Sequence, residues 1–168
     1  MADIPPAKDR LQPALLDRLT DNAPDKKVES RDERVINKTK LRQAVLRDLA
    51  WLFNSTRLNN VDFTHLSYAQ QSVINYGLPA LSGETASTLD VIELEKSIKQ
   101  AIMDFEPRIL PGTLEVESIV KDDQINRHNV ISVQIRGSLW AQPIPLELLL
   151  HTEVDLETGQ VEIRDLIG

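Results

Sequence analysis

The sequence predicts an α+β fold in which N-terminal helices pack on a largely antiparallel β-sheet from the C-terminal half. Apolar residues recur at helical spacing up to residue 105, and from residue 114 onwards they recur at every second position. Helical segments come first and strands follow, without the alternation that indicates a parallel sheet. The length of 168 residues suits one domain with a core. We therefore expect a flexible N-terminal arm over 1–32 and a single α+β domain over 33–168.

The first 32 residues differ in composition from the rest of the chain. They hold four of the nine prolines, charges of both signs and few apolar residues. Such a segment does not offset the entropy cost of ordering unless something binds it. A leucine cluster predicts one or two helical turns, which either dock on a partner or belong to a loosely attached tail. Its members are Leu11, Leu15, Leu16 and Leu19.

The first long helix is predicted over roughly 33–54, where apolar residues recur at steps of four, four and three. Trp51 and Phe53 lie beside this stripe, and we expect both to pack against the core. The stripe consists of Leu41, Val45, Leu49 and Leu52. Basic residues on or near the helix form either a partner-facing patch or a solvated face. They are Arg31, Arg34, Lys38, Lys40, Arg42 and Arg47.

Two further helices are predicted before the strands. A short one is expected around 64–74, and a turn containing glycine and proline follows it at 75–79. A long one is expected to begin at Ser87, a favoured N-cap residue. It ends near Phe105, because Pro107 disfavours the helical conformation of the preceding residue and has no amide hydrogen to donate.

Period-two alternation predicts the strands of the sheet. The third strand has a partly continuous apolar run, which is typical of burial on both faces. Gly137 follows directly in the run of the second strand and predicts a bulge. The four predicted strands are 114–117, 130–136, 146–154 and 161–163.

Composition excludes several classes of function. The chain has no cysteine, so neither disulfides nor thiolate metal sites can form. The net charge of −7 disfavours a nucleic-acid binder that relies on bulk positive charge. No window of about 18 apolar residues predicts a membrane span, and the first residues lack the pattern of a secretory signal. We therefore expect neither a nucleic-acid partner nor a direct membrane span.

Neither a metal nor a cofactor is predicted. The three histidines lie far apart in different predicted elements, and no HExxH spacing occurs. Glycine-rich nucleotide-binding motifs are absent from the sequence as well. The histidines are His65, His128 and His151.

A glycoside hydrolase would need two carboxylates about 5 to 10 Å apart, one of them with a raised pKa. Glu84, Glu106 and Glu153 are conceivable members of such a pair. With 26 acidic residues in the chain, two will lie at that distance by chance. Catalysis is therefore the minor alternative.

Glu106, Pro107 and Arg108 form the most informative polar cluster, directly after the second long helix. The proline fixes the backbone between two opposite charges. One interpretation is a helix stop with two solvated charges. The other is a presented pair, in which the arginine binds a carboxylate through two parallel hydrogen bonds.

Five segments in order resemble the TssE family of type VI secretion baseplate subunits, which is similar to wedge proteins of contractile phage tails. The resemblance covers about residues 40–163 and leaves the arm outside it. The segments are RDLAWLFN at 47–54, SVINYGLP at 72–79, FEPRI at 105–109, GSLWAQP at 137–143 and EVDLETG at 153–159.

This resemblance implies a non-catalytic structural protein of the baseplate wedge at the cytoplasmic face of the inner membrane. It implies the wedge partners TssF, TssG and TssK, and a role in starting assembly of the TssB–TssC contractile sheath. It also implies that Glu106, Pro107 and Arg108 contact a partner. A sheath strand could add to an unpaired sheet edge. One of 130–136 and 146–154 is the expected edge strand; the alternative is that both are central, and then sheath docking does not use them. A small lysozyme-like glycosidase is the alternative function.

Overall fold

The computed structural model describes residues 14–20, 24–25, 37–58, 65–81, 90–119, 129–141 and 144–167. Helices precede a four-stranded antiparallel sheet, so the predicted α+β class is confirmed. The helices are α1 (Leu15–Leu19), α2 (Lys38–Phe53), α3 (Ser67–Gln70) and α4 (Val91–Phe105). The strands are β1 (Glu115–Ile119), β2 (Val130–Leu139), β3 (Leu146–Asp155) and β4 (Val161–Asp165). Two 3-10 turns cover Val73–Asn75 and Pro111–Thr113.

The sheet has the order β1-β2-β3-β4, and each neighbouring pair is antiparallel. The strands β2 and β3 therefore lie in the middle, each paired on both sides. The expectation that 130–136 or 146–154 forms an exposed edge is wrong. Among the described strands, the edges are β1 and β4.

The predicted bulge at Gly137 is also wrong. The register of β2 against β3 runs without interruption from Arg136 to Ser138, so no extra residue is inserted. A Cβ atom at Gly137 would come 3.4 Å from Ile109 Cγ2, which is ordinary contact. The glycine thus lies under Ile109 without altering the ladder.

Both long helices begin later than predicted, at residues whose side chains cap them. Asn37 is extended and accepts a hydrogen bond from the Lys40 N–H at 2.8 Å, so α2 begins at Lys38 and not at 33. Residues 31–36 lie outside the described ranges. Asp90 is extended and accepts from the N–H groups of Ile92 and Glu93, so it takes the N-cap role expected of Ser87. Ser87 itself is not among the described residues.

The predicted helix over 64–74 is replaced, within 65–75, by two shorter turns. The helix α3 ends at Gln70, and the backbone of Ser72 is extended. The Ser72 hydroxyl accepts the Ile74 N–H at 3.4 Å, which starts a separate 3-10 turn. Ser72 therefore acts as a cap in the middle of the segment and ends the helical run.

The core lies between the helices α2 and α4 and one face of the sheet. The helix α4 packs against β1, and α2 packs against β4. Phe53 is buried as predicted, whereas the expected packing of Trp51 is wrong because half of its side chain is exposed. Fully buried members include Val45, Leu49, Ile98, Ile102, Val133, Ile135, Leu139, Leu150 and Val154.

Gly77 lies where the segment that follows α3 comes close to the residues after α2. Its φ of +117° is one that residues with a side chain rarely adopt, and a Cβ atom there would lie 2.2 Å from the Ser55 carbonyl oxygen. Leu78 pairs with this region through hydrogen bonds to Ser55 and Arg57. The glycine of the predicted turn is therefore required by a close approach of two backbone segments.

Candidate interaction site

The Glu106–Arg108 turn closes on itself at the end of α4. Glu106 caps the helix, and its side chain is only 3% exposed. Its carboxylate accepts three hydrogen bonds from Arg108, one from the backbone N–H, one from Nε at 2.6 Å and one from Nη2. A buried carboxylate is stable only when it is paired in this way. Arg108 is thus the counter-ion of a buried acid.

Arg108 also connects the turn to the neighbouring helix. Its Nη2 atom donates to Asp48 Oδ2 of α2 at 2.6 Å. Its backbone carbonyl accepts from the Trp140 N–H at 2.7 Å, just past the end of β2. The turn therefore joins α4, α2 and the sheet at one corner of the domain.

The ionic contacts continue along α2 to the N-terminal segment. Arg47 Nε donates to Asp48 Oδ1 at 2.9 Å, and Arg47 Nη1 donates to Asp17 Oδ1 of α1 at 2.6 Å. We call these five residues, Asp17, Arg47, Asp48, Glu106 and Arg108, the helix-end cluster. With three acids and two arginines it has a formal charge of −1.

The electrostatics keep both arginines of the cluster charged. Burial lowers the pKa of Arg108, but the hydrogen bonds and charges of Glu106, and then those of Asp48, outweigh it and raise the pKa above its ordinary value. The hydrogen bond to Asp17 is the largest cause that raises the pKa of Arg47. Burial, followed by the charges of Asp48 and Glu106, raises the pKa of the nearby Tyr76. The two arginines therefore stay cationic and hold the cluster as a fixed ionic arrangement.

An open groove of about 510 Å³ lies beside the cluster. Its walls combine the charged groups with the aromatic rings of Trp51, Tyr76 and Phe105. The rings of Tyr76 and Phe105 meet edge to face, with their centroids 5.2 Å apart. Arg47 lies over the half-exposed Trp51, 5.2 Å from the ring centroid. Aromatic and arginine side chains beside an open groove are typical of protein interfaces.

The structure brings the predicted residues Glu106, Pro107 and Arg108 together in the wall of this groove. Neither charge is simply solvated, because each is bound within the domain. Arg108 nevertheless keeps Nη1 without a hydrogen bond among the described residues. Their contact with a partner remains a prediction.

Asp48 and Trp51 are members of the site that the sequence reasoning did not single out. A signal for Asp48 existed, since it lies three residues after Val45 and four before Leu52, within the apolar stripe of α2. An acid at such a position needs a buried cation.

The candidate glycosidase carboxylates do not meet at one site in the described part of the chain. Glu106 is paired with Arg108. Glu153 lies on the face of the sheet that points away from the helices, next to His151 and Arg164. Glu84 lies outside the described residues. Within the described ranges no three histidine or acidic side chains are grouped to hold a metal ion. Nor does any helix there have the length and apolarity needed to cross a membrane.

Side chains from both long helices cover the sheet edges. The register points the backbone groups of Val161 outward from β4, and Asn54 of α2 bonds both of them at 2.9 Å. At the other end of β4, Arg42 binds the Asp165 carboxylate through two hydrogen bonds. On β1, Glu95 of α4 accepts the outward N–H of Ser118 at 2.6 Å. These contacts limit where another strand could add.

A sequence profile of the family described as baseplate wedge protein gp25 matches residues 39–144. The match contains α2, α4, β1, β2 and the Glu106–Arg108 turn. No curated protein and no solved structure matched the chain.

Proposed function

Because the chain belongs to the baseplate wedge protein gp25 family, we propose that it is the TssE-type wedge subunit of a type VI secretion baseplate. The family assignment supports a structural role in a phage-tail-like baseplate. The five motifs in the sequence support the narrower assignment to type VI secretion. The proposed location is the cytoplasmic face of the inner membrane.

The proposed partner surface is the groove beside the helix-end cluster. The single observation that carries it is the placement of Arg108, which is anchored by Glu106 and Asp48 beside the groove while no described residue bonds its Nη1 atom. An arginine already held in one orientation loses little entropy when a partner carboxylate or carbonyl group binds it. Aromatic walls next to it add apolar contact area. We assign this surface to the wedge partners TssF and TssG, with TssK in the same assembly.

The proposed sheath-facing edge is β1. At the edge of β4, Asn54 bonds both outward backbone groups of Val161, and Arg42 binds the Asp165 carboxylate. At the edge of β1, Glu95 bonds the Ser118 N–H, whereas no described side chain bonds the outward backbone groups of Val116, which we assign to a TssB–TssC strand. Strand addition there gives a physical basis for initiating sheath assembly.

Proline substitutions test the edge assignment. Val116→Pro removes an outward N–H group, so the domain should fold and capture of TssB–TssC should weaken. Glu117→Pro is the matched variant, because its N–H faces β2 and its loss should disrupt the sheet. Normal sheath capture by folded Val116→Pro would exclude β1.

The partner assignment is tested with purified proteins. The wild-type chain should co-purify with a TssF–TssG complex, and Arg108→Lys should retain folding by circular dichroism but lose most of that binding. Lysine keeps the charge but cannot make the forked contacts. Failure of the wild-type chain to bind TssF–TssG would reject the proposed function.

We also propose that the protein is not an enzyme. Since the carboxylate of Glu106 accepts three hydrogen bonds from Arg108, its oxygens are not free to face a glycosidic bond. The purified protein should leave the turbidity of a peptidoglycan suspension unchanged. Clearing by the wild type that is lost in Glu106→Gln would favour the glycosidase alternative.

A further inference from the structure

The N-terminal segment over 14–20, which we call the strap, lies at the edge of the proposed partner groove. Ala14 lines the groove together with Asp48, Pro107 and Arg108. The helix α1 follows immediately, and its Asp17 carboxylate binds Arg47 at 2.6 Å. A partner that approaches Arg108 along this groove would therefore meet the strap.

The strap is attached with little burial. No residue of α1 is buried, and Leu15 and Leu19 are each more than 70% exposed. Its described polar contact with the domain is the pair between Asp17 and Arg47. The strap therefore gains little of the apolar burial that stabilises packed helices.

The ion pair itself is incompletely satisfied. Asp17 Oδ2 is buried and has no hydrogen-bond partner in the part of the chain that the structure describes. Arg47 Nη2 lies 2.8 Å from Asp48 Oδ1, but at a geometry that does not form a hydrogen bond. An unsatisfied buried oxygen offsets part of what the pair contributes. Because a third of the Arg47 side chain is exposed, solvent and salt weaken the attraction further.

From this geometry we infer that the strap is an intramolecular cover of the partner groove, held by Asp17 on Arg47 and displaced when a wedge partner binds. The inference rests on the proposed function, because it assigns regulation to the same groove. Apparent partner affinity is reduced by the fraction of molecules whose strap is closed. Releasing the strap should therefore strengthen partner binding without any new contact.

The first measurement follows the strap in the full-length chain without any partner. The chain has no cysteine, so Leu19→Cys and Lys99→Cys provide two unique sites for spin labels on exposed positions. With Asp17 unchanged, double electron–electron resonance between the two labels should give a narrow distance distribution. Asp17→Lys places like charges together and should broaden it. Asp25→Lys makes the same charge change outside the strap, away from the described contacts of the cluster, and should leave the distribution narrow.

The second measurement is the affinity of the same chains for the purified TssF–TssG complex. Asp17→Lys should bind about two- to tenfold more tightly than wild type, and Asp25→Lys should match wild type. A broad distance distribution in the wild type, or a narrow one in Asp17→Lys, would overturn the inference that Asp17 holds the strap on Arg47. A released strap with unchanged affinity would show that it does not cover the partner surface, while the proposed function stands. Absence of binding by every chain would instead reject the proposed function, and the inference with it.

Discussion

Two arginine-centred corners tie α2 to the rest of the domain, and they differ in what they leave open. At one, Arg42 binds Asp165 through two hydrogen bonds, and its other terminal nitrogen donates to the Glu147 carbonyl. At the other, Arg108 binds Glu106 and Asp48 through Nε and Nη2, and its Nη1 atom lies beside a groove without a bond to any residue that the structure describes. The first corner is closed on itself. The second binds α4 to α2 and also lines an open groove.

This difference indicates how one residue can serve folding and recognition together. The buried Glu106 needs a cation, and satisfying it fixes the direction of the guanidinium. A partner then meets a group that is already ordered, which lowers the entropy cost of binding. At the Arg42 corner both terminal nitrogens are used inside the domain. The comparison therefore predicts that stability depends on both corners, whereas partner binding depends on one.

The largest effect is expected from Arg108→Ala. This change leaves the buried Glu106 without its counter-ion, which should cost about 3–5 kcal/mol of unfolding free energy. Denaturation with urea, followed by circular dichroism, measures it. Exposed ion pairs contribute at most about 1 kcal/mol. A loss of unfolding free energy no larger than this would mean that the pair between Arg108 and Glu106 does not stabilise the fold.

A smaller effect is expected from Arg42→Ala. Asp165 keeps other contacts, among them a hydrogen bond from the Ile167 N–H at 3.0 Å. We therefore expect a loss of roughly 1–3 kcal/mol, as for one charge-assisted contact. Binding to TssF–TssG, measured below the melting transition, should stay at the wild-type level. A binding defect equal to that of the Arg108 variants would remove the distinction between the corners.

The smallest effect concerns Thr152, a buried polar residue of β3 outside both corners. Its hydroxyl is buried without a hydrogen-bond partner, between the core positions Leu150 and Val154. Thr152→Val keeps the shape and removes the unsatisfied group, so it should raise the unfolding free energy by about 1 kcal/mol. A thermal melt checks the sign. A loss of stability would show that the buried Thr152 hydroxyl does not destabilise the core.

The sequence predicted the fold class because periodicity reports which faces are buried. It could not predict the order of strands, since β2 and β3 look like edge candidates until their pairing on both sides is known. The caps at Asn37 and Asp90 were missed because the apolar stripes begin only at Leu41 and Val91, so helical spacing does not specify the residue at which either helix starts. Boundaries are set there by a side chain that bonds the backbone.

The candidate site was predictable in part. Pro107 marks the turn, so Glu106 and Arg108 stood out as a charge pair. Their internal pairing was not predictable, because Asp48 lies 60 residues away in the chain and meets Arg108 only when α2 and α4 pack. The same holds for Asp17 and Arg47, which are 30 residues apart. Long-range ion pairs of this kind follow from packing and not from spacing.

We propose that Arg108 recognises a partner and that Arg42 does not. The most direct test compares Arg108→Lys with Arg42→Lys in binding to purified TssF–TssG, at a temperature where circular dichroism shows both chains folded. Each variant keeps its charge and loses the fork of the guanidinium. We expect Arg108→Lys to weaken binding by about tenfold or more, roughly 1.4 kcal/mol, and Arg42→Lys to bind like the wild type. Equal affinity of the two variants would contradict it.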